Sequence, residues 1–181
     1  MFDSVPLPDD SKLSESIRKT MIELPPANIF RLLAMMPNVL EAYLSFAKSL
    51  YSGEFDPMLR QMAMLRIAYR IPSDYFINMY VPTCKALGAT EEELQAIQST
   101  KVTGSSEEIK FLCKVADEIA LDGNLSEEVF QEFYQRYPVQ EGTKFLMILS
   151  AVCMAGRLTN AVRLPLEKVS PMEGRSKFFK Q

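Results

Sequence analysis

The sequence predicts an all-α protein with a single domain. Apolar residues recur with the period of an α-helix along almost the whole chain of 181 residues, and capping patterns and prolines separate the periodic segments. No stretch alternates polar and apolar residues for long enough to require a β-strand. Hydrophobic residues make up 48% of the chain, with only 7 glycines and 11 prolines. This composition can bury a core and argues against a disordered or low-complexity protein.

The first four helices are separated by prolines and by helix-start patterns. They are predicted over residues 13–23, 27–35, 38–52 and 57–70. Pro25 and Pro37 divide the first three, because proline in a helix interior removes a backbone hydrogen bond. Asn38 marks the start of the third helix. The pair Asp56-Pro57 supplies a capping aspartate and a proline at the first helical position, which is typical of a helix start.

Five further helices are predicted in the second half of the chain. They cover residues 73–87, 90–98, 106–122, 126–136 and 139–163. Ser73 and Ser126 stand where N-caps are expected, and Ser105 with Glu108 has the spacing of a capping box. The last helix contains the uncharged run 145–156, whose twelve residues are fewer than the ~20 that span a membrane. We expect it to be a buried helix.

The charge and the chain ends predict a cytoplasmic protein without a nucleic-acid or membrane partner. The chain has 20 basic and 23 acidic residues, a net charge of −3, with no basic run to neutralise phosphates. Residues 1–10 lack the basic and apolar regions of a secretory signal. We expect an N-terminal arm over 1–12, a helical domain over 13–166 and a C-terminal tail over 167–181.

Residue usage excludes several kinds of active site. The chain has no histidine, which removes the histidine-containing triad, the histidine zinc site and the imidazole base. Its three cysteines, Cys84, Cys113 and Cys153, are widely spaced and form no C-x-x-C pair. We expect them to be small core residues, with a reactive thiol at Cys84 as the alternative. Without a metal-ligand cluster or a glycine-rich phosphate loop, we expect no metal and no cofactor.

Three stretches share helix order, spacing and loop residues with a known family. The first stretch runs from Pro37-Asn38-Val39-Leu40 to Leu65-Arg66-Ile67-Ala68. The second runs from Asp74-Tyr75 to Gly88, and the third runs from Leu149 to Leu164. Over roughly residues 26–166 the pattern resembles the carboxymuconolactone decarboxylase family, which includes the alkylhydroperoxidase D-like proteins. The resemblance implies a helical bundle that assembles into trimers or hexamers, with its active site at the start of helix 73–87, near subunit contacts.

The same resemblance implies that most reactive residues of the family are replaced here. Its relay glutamate corresponds to Gln61, and the two cysteines of its peroxidase-like members correspond to Ser73 and Phe76. The decarboxylase-like members have a glutamate at the Phe76 position. The tyrosine between the two cysteines is kept as Tyr75, whereas the histidine one turn later is Tyr80. Because serine and phenylalanine cannot form a disulfide, thiol peroxidase chemistry of the C-x-x-C type is not expected.

The remaining polar groups of this region are the candidate site residues. The predicted catalytic residues are Asp74, Tyr75 and Tyr80, and the predicted substrate-binding residues are Arg60, Gln61, Ser73 and Phe76. Each also has an ordinary structural interpretation. Ser73 and Asp74 suit a helix start, and Phe76 and Tyr80 are spaced to pair on one helix face. Arg60 or Arg66 would hold a carboxylate if it pointed inward, or would otherwise lie on a solvated or ion-paired face.

Two functions remain open from the sequence. The first is a lyase-type enzyme that acts on a small organic acid or lactone through a site without histidine and without C-x-x-C. The second is a catalytically silent family member that binds a small ligand or a protein partner. In both cases we expect a homo-oligomer, because the 145–156 run is apolar on every side. The eleven methionines are core or interface residues, or else they line an adaptable apolar pocket.

Overall fold

The computed structural model describes residues 3–52 and 55–172, and this part of the chain is helical without a strand. Its helices are α1 (Glu15–Glu23), α2 (Asn28–Ala34), α3 (Pro37–Tyr51), α4 (Pro57–Arg70), α5 (Asp74–Leu87), α6 (Glu91–Gln98), α7 (Glu107–Leu121), α8 (Glu127–Arg136) and α9 (Val139–Ala161). A 3-10 turn over Asp10–Lys12 precedes them. The all-α, single-domain prediction is confirmed, and each predicted helix lies within two residues of its observed bounds.

Helix α4 is the centre of the fold. Every residue from Arg60 to Ala68 is buried, and the helix packs against α5, α7 and α9. A helix enclosed on all sides is normally apolar all round, because each buried polar group requires a partner. Three polar residues of α4 break that rule, namely Arg60, Gln61 and Arg66. The partners of these three side chains therefore determine whether each one has a structural role or is available to a ligand.

The observed helix starts confirm the predicted cap of α4 and shift two of the predicted starts by one residue. Asp56 caps α4 as predicted, because its Oδ1 accepts from the Leu59 backbone N–H at 2.8 Å. The capping box at Ser105 is wrong, since Ser106 is the N-cap of α7 and its Oγ accepts from the Ile109 N–H at 3.2 Å. Helix α3 likewise begins at Pro37, one residue before the predicted Asn38. Proline favours the first helical position because it has no N–H to leave unpaired.

The two ends of the described chain pack against the helices. Val5 donates its backbone N–H to the Val162 carbonyl at 3.0 Å, and Met172 is 9% exposed. Both pack in the cluster of buried residues around α2 and α5. The end of the predicted tail, 173–181, and residues 1–2 of the predicted arm lie outside the described residues. The domain boundaries stay a prediction.

Helix α9 is only partly enclosed. Phe145, Leu149 and Val152 are buried in the core, whereas Met147 and Met154 on another face are 46% and 56% exposed. Among the described residues, none of the helices combines the length and hydropathy required to cross a bilayer. The apolar run is therefore a core helix with a second, exposed apolar face.

Candidate functional site

A cavity of about 320 Å³ lies between helices α2, α3, α4 and α5. Its wall consists of Pro25, Ile29, Phe30, Tyr43, Leu44, Ala47, Tyr51, Arg60, Gln61, Met64, Phe76, Met79, Tyr80, Thr83 and Met172. Most of these side chains are aliphatic, aromatic or thioether groups. The volume is within the range of small-molecule sites, which are apolar concavities with a few polar groups that orient the ligand.

Arg60 and Gln61 bring two unpaired donors to this wall. Their side chains are 8% and 5% exposed, and Arg60 Nε and Gln61 Nε2 have no hydrogen-bond partner within the described part of the chain. The ion pairs found in residues 3–52 and 55–172 do not include Arg60. Burial lowers the pKa of Arg60, and the guanidinium lies 5.1 Å from the centre of the Tyr51 ring. An unpaired charge in such a place is costly, and an anion in the cavity would reduce that cost.

On its other side, Arg60 borders a narrow cleft. Glu141 and Lys144 line this cleft, whose volume is about 10 Å³. A space of that size is at the lower limit for a single water molecule. This cleft therefore has no room for an organic ligand beside Arg60.

Arg66, the other arginine of α4 that could bind a carboxylate, already donates its hydrogen bonds to protein groups. It makes five hydrogen bonds, two to Asp117 at 2.6 and 2.7 Å and three to the carbonyls of Ile97, Ser99 and Thr100. Arg70 shares the Asp117 carboxylate at 2.8 Å. Arg66 thus ties α4 to α7 and to the end of α6, which is the ion-paired alternative that the sequence left open.

Phe76 and Tyr80 form the α5 side of the cavity. Their ring centres are 5.1 Å apart, which confirms the pairing predicted from their spacing. Burial raises the pKa of Tyr80 well above its usual value, and neighbouring tyrosines add to the rise. A phenol of this kind stays protonated at neutral pH. It can donate a hydrogen bond to a ligand, but it is a poor general base.

Ser73, Asp74 and Tyr75 lie outside the cavity wall. Ser73 is the N-cap of α5, and its Oγ is 3.4 Å from the Thr159 hydroxyl, while Asp74 is exposed in the first turn. The Tyr75 hydroxyl donates to Glu167 Oε1 at 2.8 Å and accepts from the Ile29 backbone N–H at 3.0 Å. Ser73 and Tyr75 hold the start of α5 against α9, α2 and the C-terminal segment. Of the predicted site residues, the cavity brings together Arg60, Gln61, Phe76 and Tyr80.

The cysteines are buried, and none of the three is among the residues that line the cavity. Cys84, Cys113 and Cys153 are 0%, 1% and 4% exposed, and all three are free. Burial raises the pKa of Cys84 and of Cys113 to about 12, so both are thiols rather than reactive thiolates at neutral pH. No group of three potential metal ligands occurs in the described ranges.

Sequence reasoning missed the α3 and C-terminal parts of the wall. Tyr43, Ala47 and Tyr51 are spaced at i, i+4 and i+8, so they share one face of α3. That spacing was a usable signal, although nothing local indicated what the face would meet. Met172 gave no signal, because the folding of the chain back onto α2 brings it to the wall.

Comparison with known proteins identifies the fold. No protein-family model and no curated protein matches the sequence. A crystal structure from Ralstonia eutropha JMP134 matches with a TM-score of 0.79 and 14% identity, over 95% of this chain and 96% of that one. It is described as an alkylhydroperoxidase AhpD core and an uncharacterized peroxidase-related protein. At this identity the likeness establishes an AhpD-like fold, which agrees with the resemblance in the sequence, and leaves the activity open.

Proposed function

We propose that this protein binds a small organic acid, or the related lactone, in the cavity between α2 and α5. The observation that carries the proposal is the buried Arg60 guanidinium, which lines an apolar cavity and has no carboxylate partner among the described residues. Arginine suits a carboxylate because its planar fork donates two parallel hydrogen bonds. Gln61 adds a second buried donor next to it.

We place ligand binding ahead of proton-transfer catalysis in this proposal for a chemical reason. The titratable cavity residues that would carry a proton are tyrosines, and burial raises the pKa of both Tyr43 and Tyr80. The chemistry of a thiol peroxidase is opposed by Ser73 and Phe76 at the cysteine positions and by the raised pKa of Cys84. Lyase-type turnover of the bound acid is the second candidate. It is favoured by the position of Tyr80 and Gln61 on the same cavity wall.

A thermal-shift screen with carboxylic acids, lactones and lactone acids tests the binding proposal. A ligand at 100 times its Kd adds about 2.7 kcal/mol to the free energy of unfolding. For a chain of this length, that corresponds to a rise in Tm of roughly 5–11 °C. The expected result is a hit with wild type and its loss in Arg60→Met. The matched control is Arg18→Met, which removes the same charge from an exposed residue of α1. Shifts that are unaffected by Arg60→Met would contradict the proposal.

Turnover is measured on each hit as carbon dioxide release or lactone opening. If the site is a lyase, Tyr80→Phe should lower the rate by about 10²–10⁴-fold, the usual contribution of a general acid or base. If the protein only binds, wild type and Tyr80→Phe should both leave the ligand intact. This comparison separates the two candidates.

We also propose that the chain forms a homo-oligomer. The support is an apolar stripe on α9, where Met147, Met154 and Leu158 are 46%, 56% and 40% exposed at positions i, i+7 and i+11. The resemblance to the carboxymuconolactone decarboxylase family favours a trimer or a hexamer. Native mass spectrometry at micromolar concentration tests this proposal, and a spectrum of monomer alone would contradict it.

A further inference from the structure

The charge of the cavity wall limits how many anionic groups a ligand can carry. Among the described residues of the wall, Arg60 alone is charged, and no aspartate, glutamate or lysine joins it. A ligand with one carboxylate would be neutralised there. A dicarboxylate would leave its second charge buried against apolar side chains, which is strongly unfavourable.

The polar end of the cavity also selects the kind of head group. The two unpaired atoms, Arg60 Nε and Gln61 Nε2, are both donors, and both belong to side chains more than nine-tenths buried. An ionised carboxylate has about four acceptor sites and no donor, so it complements a cavity end that presents only donors. An ammonium group offers only donors and would be repelled, and a hydroxyl has no charge to set against the guanidinium.

The remainder of the wall suits a hydrocarbon body. Its apolar members include Ile29, Phe30, Leu44, Met64, Met79 and Met172. The methionine side chains are flexible and adapt to the shape of an apolar ligand. At ~30 Å³ for each water-sized group, the cavity of about 320 Å³ holds roughly ten non-hydrogen atoms. That is the size of an eight-carbon acid.

From these three observations we infer that the ligand is an apolar monocarboxylic acid of about ten non-hydrogen atoms, with its carboxylate on Arg60 and Gln61. The inference rests on the proposed binding function and narrows its substrate class. It distinguishes this cavity from a site for polar diacids or for carboxylated lactones. The hydrocarbon body occupies the part of the cavity between α2, α3 and Met172.

Isothermal titration calorimetry with a homologous series tests the inference. The probes are butanoate, hexanoate, octanoate and dodecanoate, with octan-1-ol, octylamine and octanedioate as head-group controls. Affinity should rise about fourfold for each added methylene until the cavity is full, near octanoate. Octanedioate, octan-1-ol and octylamine should each bind at least about tenfold more weakly than octanoate.

The variants separate the charged end from the apolar body. Arg60→Met should weaken octanoate about 10–150-fold, the contribution of hydrogen bonds to a charged group, and Arg60→Lys should restore part of the loss. Ala47→Phe fills the cavity from α3 and should weaken octanoate while leaving α4 intact. Arg18→Met, at an exposed residue that does not line the cavity, should bind like wild type. A melting curve of each variant confirms that it is folded before binding is measured.

The outcomes distinguish this inference from the broader proposal. If octanedioate binds as tightly as octanoate, the inference is overturned while the proposed function stands. If octan-1-ol binds as tightly as octanoate, or Arg60→Met binds octanoate like wild type, the carboxylate anchor is wrong and both are overturned. If no acid or lactone binds, both also fail. A chain-length optimum near octanoate that is lost in Arg60→Met supports the inference.

Discussion

Two arginines of one helix should respond in opposite ways to the same substitution. Arg60 and Arg66 both lie on α4, and both are buried, at 8% and 1% exposure. Arg66 makes five hydrogen bonds, whereas Arg60 Nε has no partner among residues 3–52 and 55–172. Replacing each by methionine keeps a long apolar side chain and removes the charge. The comparison isolates what each guanidinium contributes to stability.

The contacts give the size of each effect. Arg66→Met removes the buried guanidinium from Asp117, which keeps Arg70, and takes the Arg66 donor from the carbonyls of Ile97 and Ser99, which should cost about 3–5 kcal/mol in total. Arg60→Met removes an unsatisfied buried donor, a gain of ~1–3 kcal/mol, and loses a cation–π contact with Tyr51, a loss of ~0.5–2 kcal/mol. These two contributions nearly cancel, so Arg60→Met should lie within about 1 kcal/mol of wild type.

Urea unfolding followed by circular dichroism, together with thermal melts, measures both variants. For a chain of 181 residues, about 1 kcal/mol corresponds to 2–4 °C in Tm. Arg66→Met should therefore lower Tm by roughly 6–20 °C, and Arg60→Met should move it by less than about 4 °C in either direction. If the m-values of both variants equal that of wild type, the change in the urea midpoint reports a change in stability alone. Equal, large destabilisation by both variants would refute the argument, because Arg60 would then be a structural residue like Arg66.

Three further predictions concern the surroundings of the cavity. Tyr75→Phe leaves the Ile29 N–H without an acceptor and removes one of the two donors to Glu167 Oε1, the other being the Asn28 N–H, and should cost about 1–3 kcal/mol in urea unfolding; an unchanged midpoint would contradict this. Gly156→Ala puts a Cβ against the end of the Ile71 side chain, an overpacking cost of about 1–3 kcal/mol that the better helix propensity of alanine reduces by about 1 kcal/mol, so it should destabilise by up to about 2 kcal/mol; a stabilised variant would show that Ile71 moves aside. Cys84 and Cys113 have a folded-state pKa of about 12 against 9.0 ordinarily, so they favour the folded state below pH 9. As pH rises from about 9 to 12, these thiols ionise first in the unfolded chain, so the free energy of unfolding should fall. A free energy of unfolding that stays constant over this pH range would count against buried thiols.

The fold was predictable because its signals are local. Helical periodicity and caps such as Asp56-Pro57 act within a few residues, and they placed each observed helix. The errors arose where two local signals compete. Ser105 and Ser106 are adjacent and either can cap α7, but only Ser106 reaches a first-turn N–H, that of Ile109. Sequence spacing alone does not separate two such neighbours.

The site was predictable only in part, because its partners are distant in sequence. Arg60 and Arg66 are six residues apart, which puts them about 120° apart around α4. Helix geometry therefore indicates different environments without saying which arginine finds a carboxylate. Asp117, the partner of Arg66, lies 51 residues away, and Glu167, the partner of Tyr75, lies 92 residues away. The tertiary fold assigns these pairs, and it makes Tyr75 a structural link beside the cavity.

The balance of charges in the core supports the proposal that Arg60 binds an anionic ligand. Stability alone would favour an apolar residue there, because a buried charge without a partner raises the free energy of the folded state. Arg66 avoids that penalty through Asp117 and three carbonyls, and it does so on the same helix. Arg60 has a cavity of about 320 Å³ where such partners would be. A bound carboxylate would supply in the cavity what Asp117 supplies to Arg66, and the guanidinium would then stabilise the complex more than the empty protein.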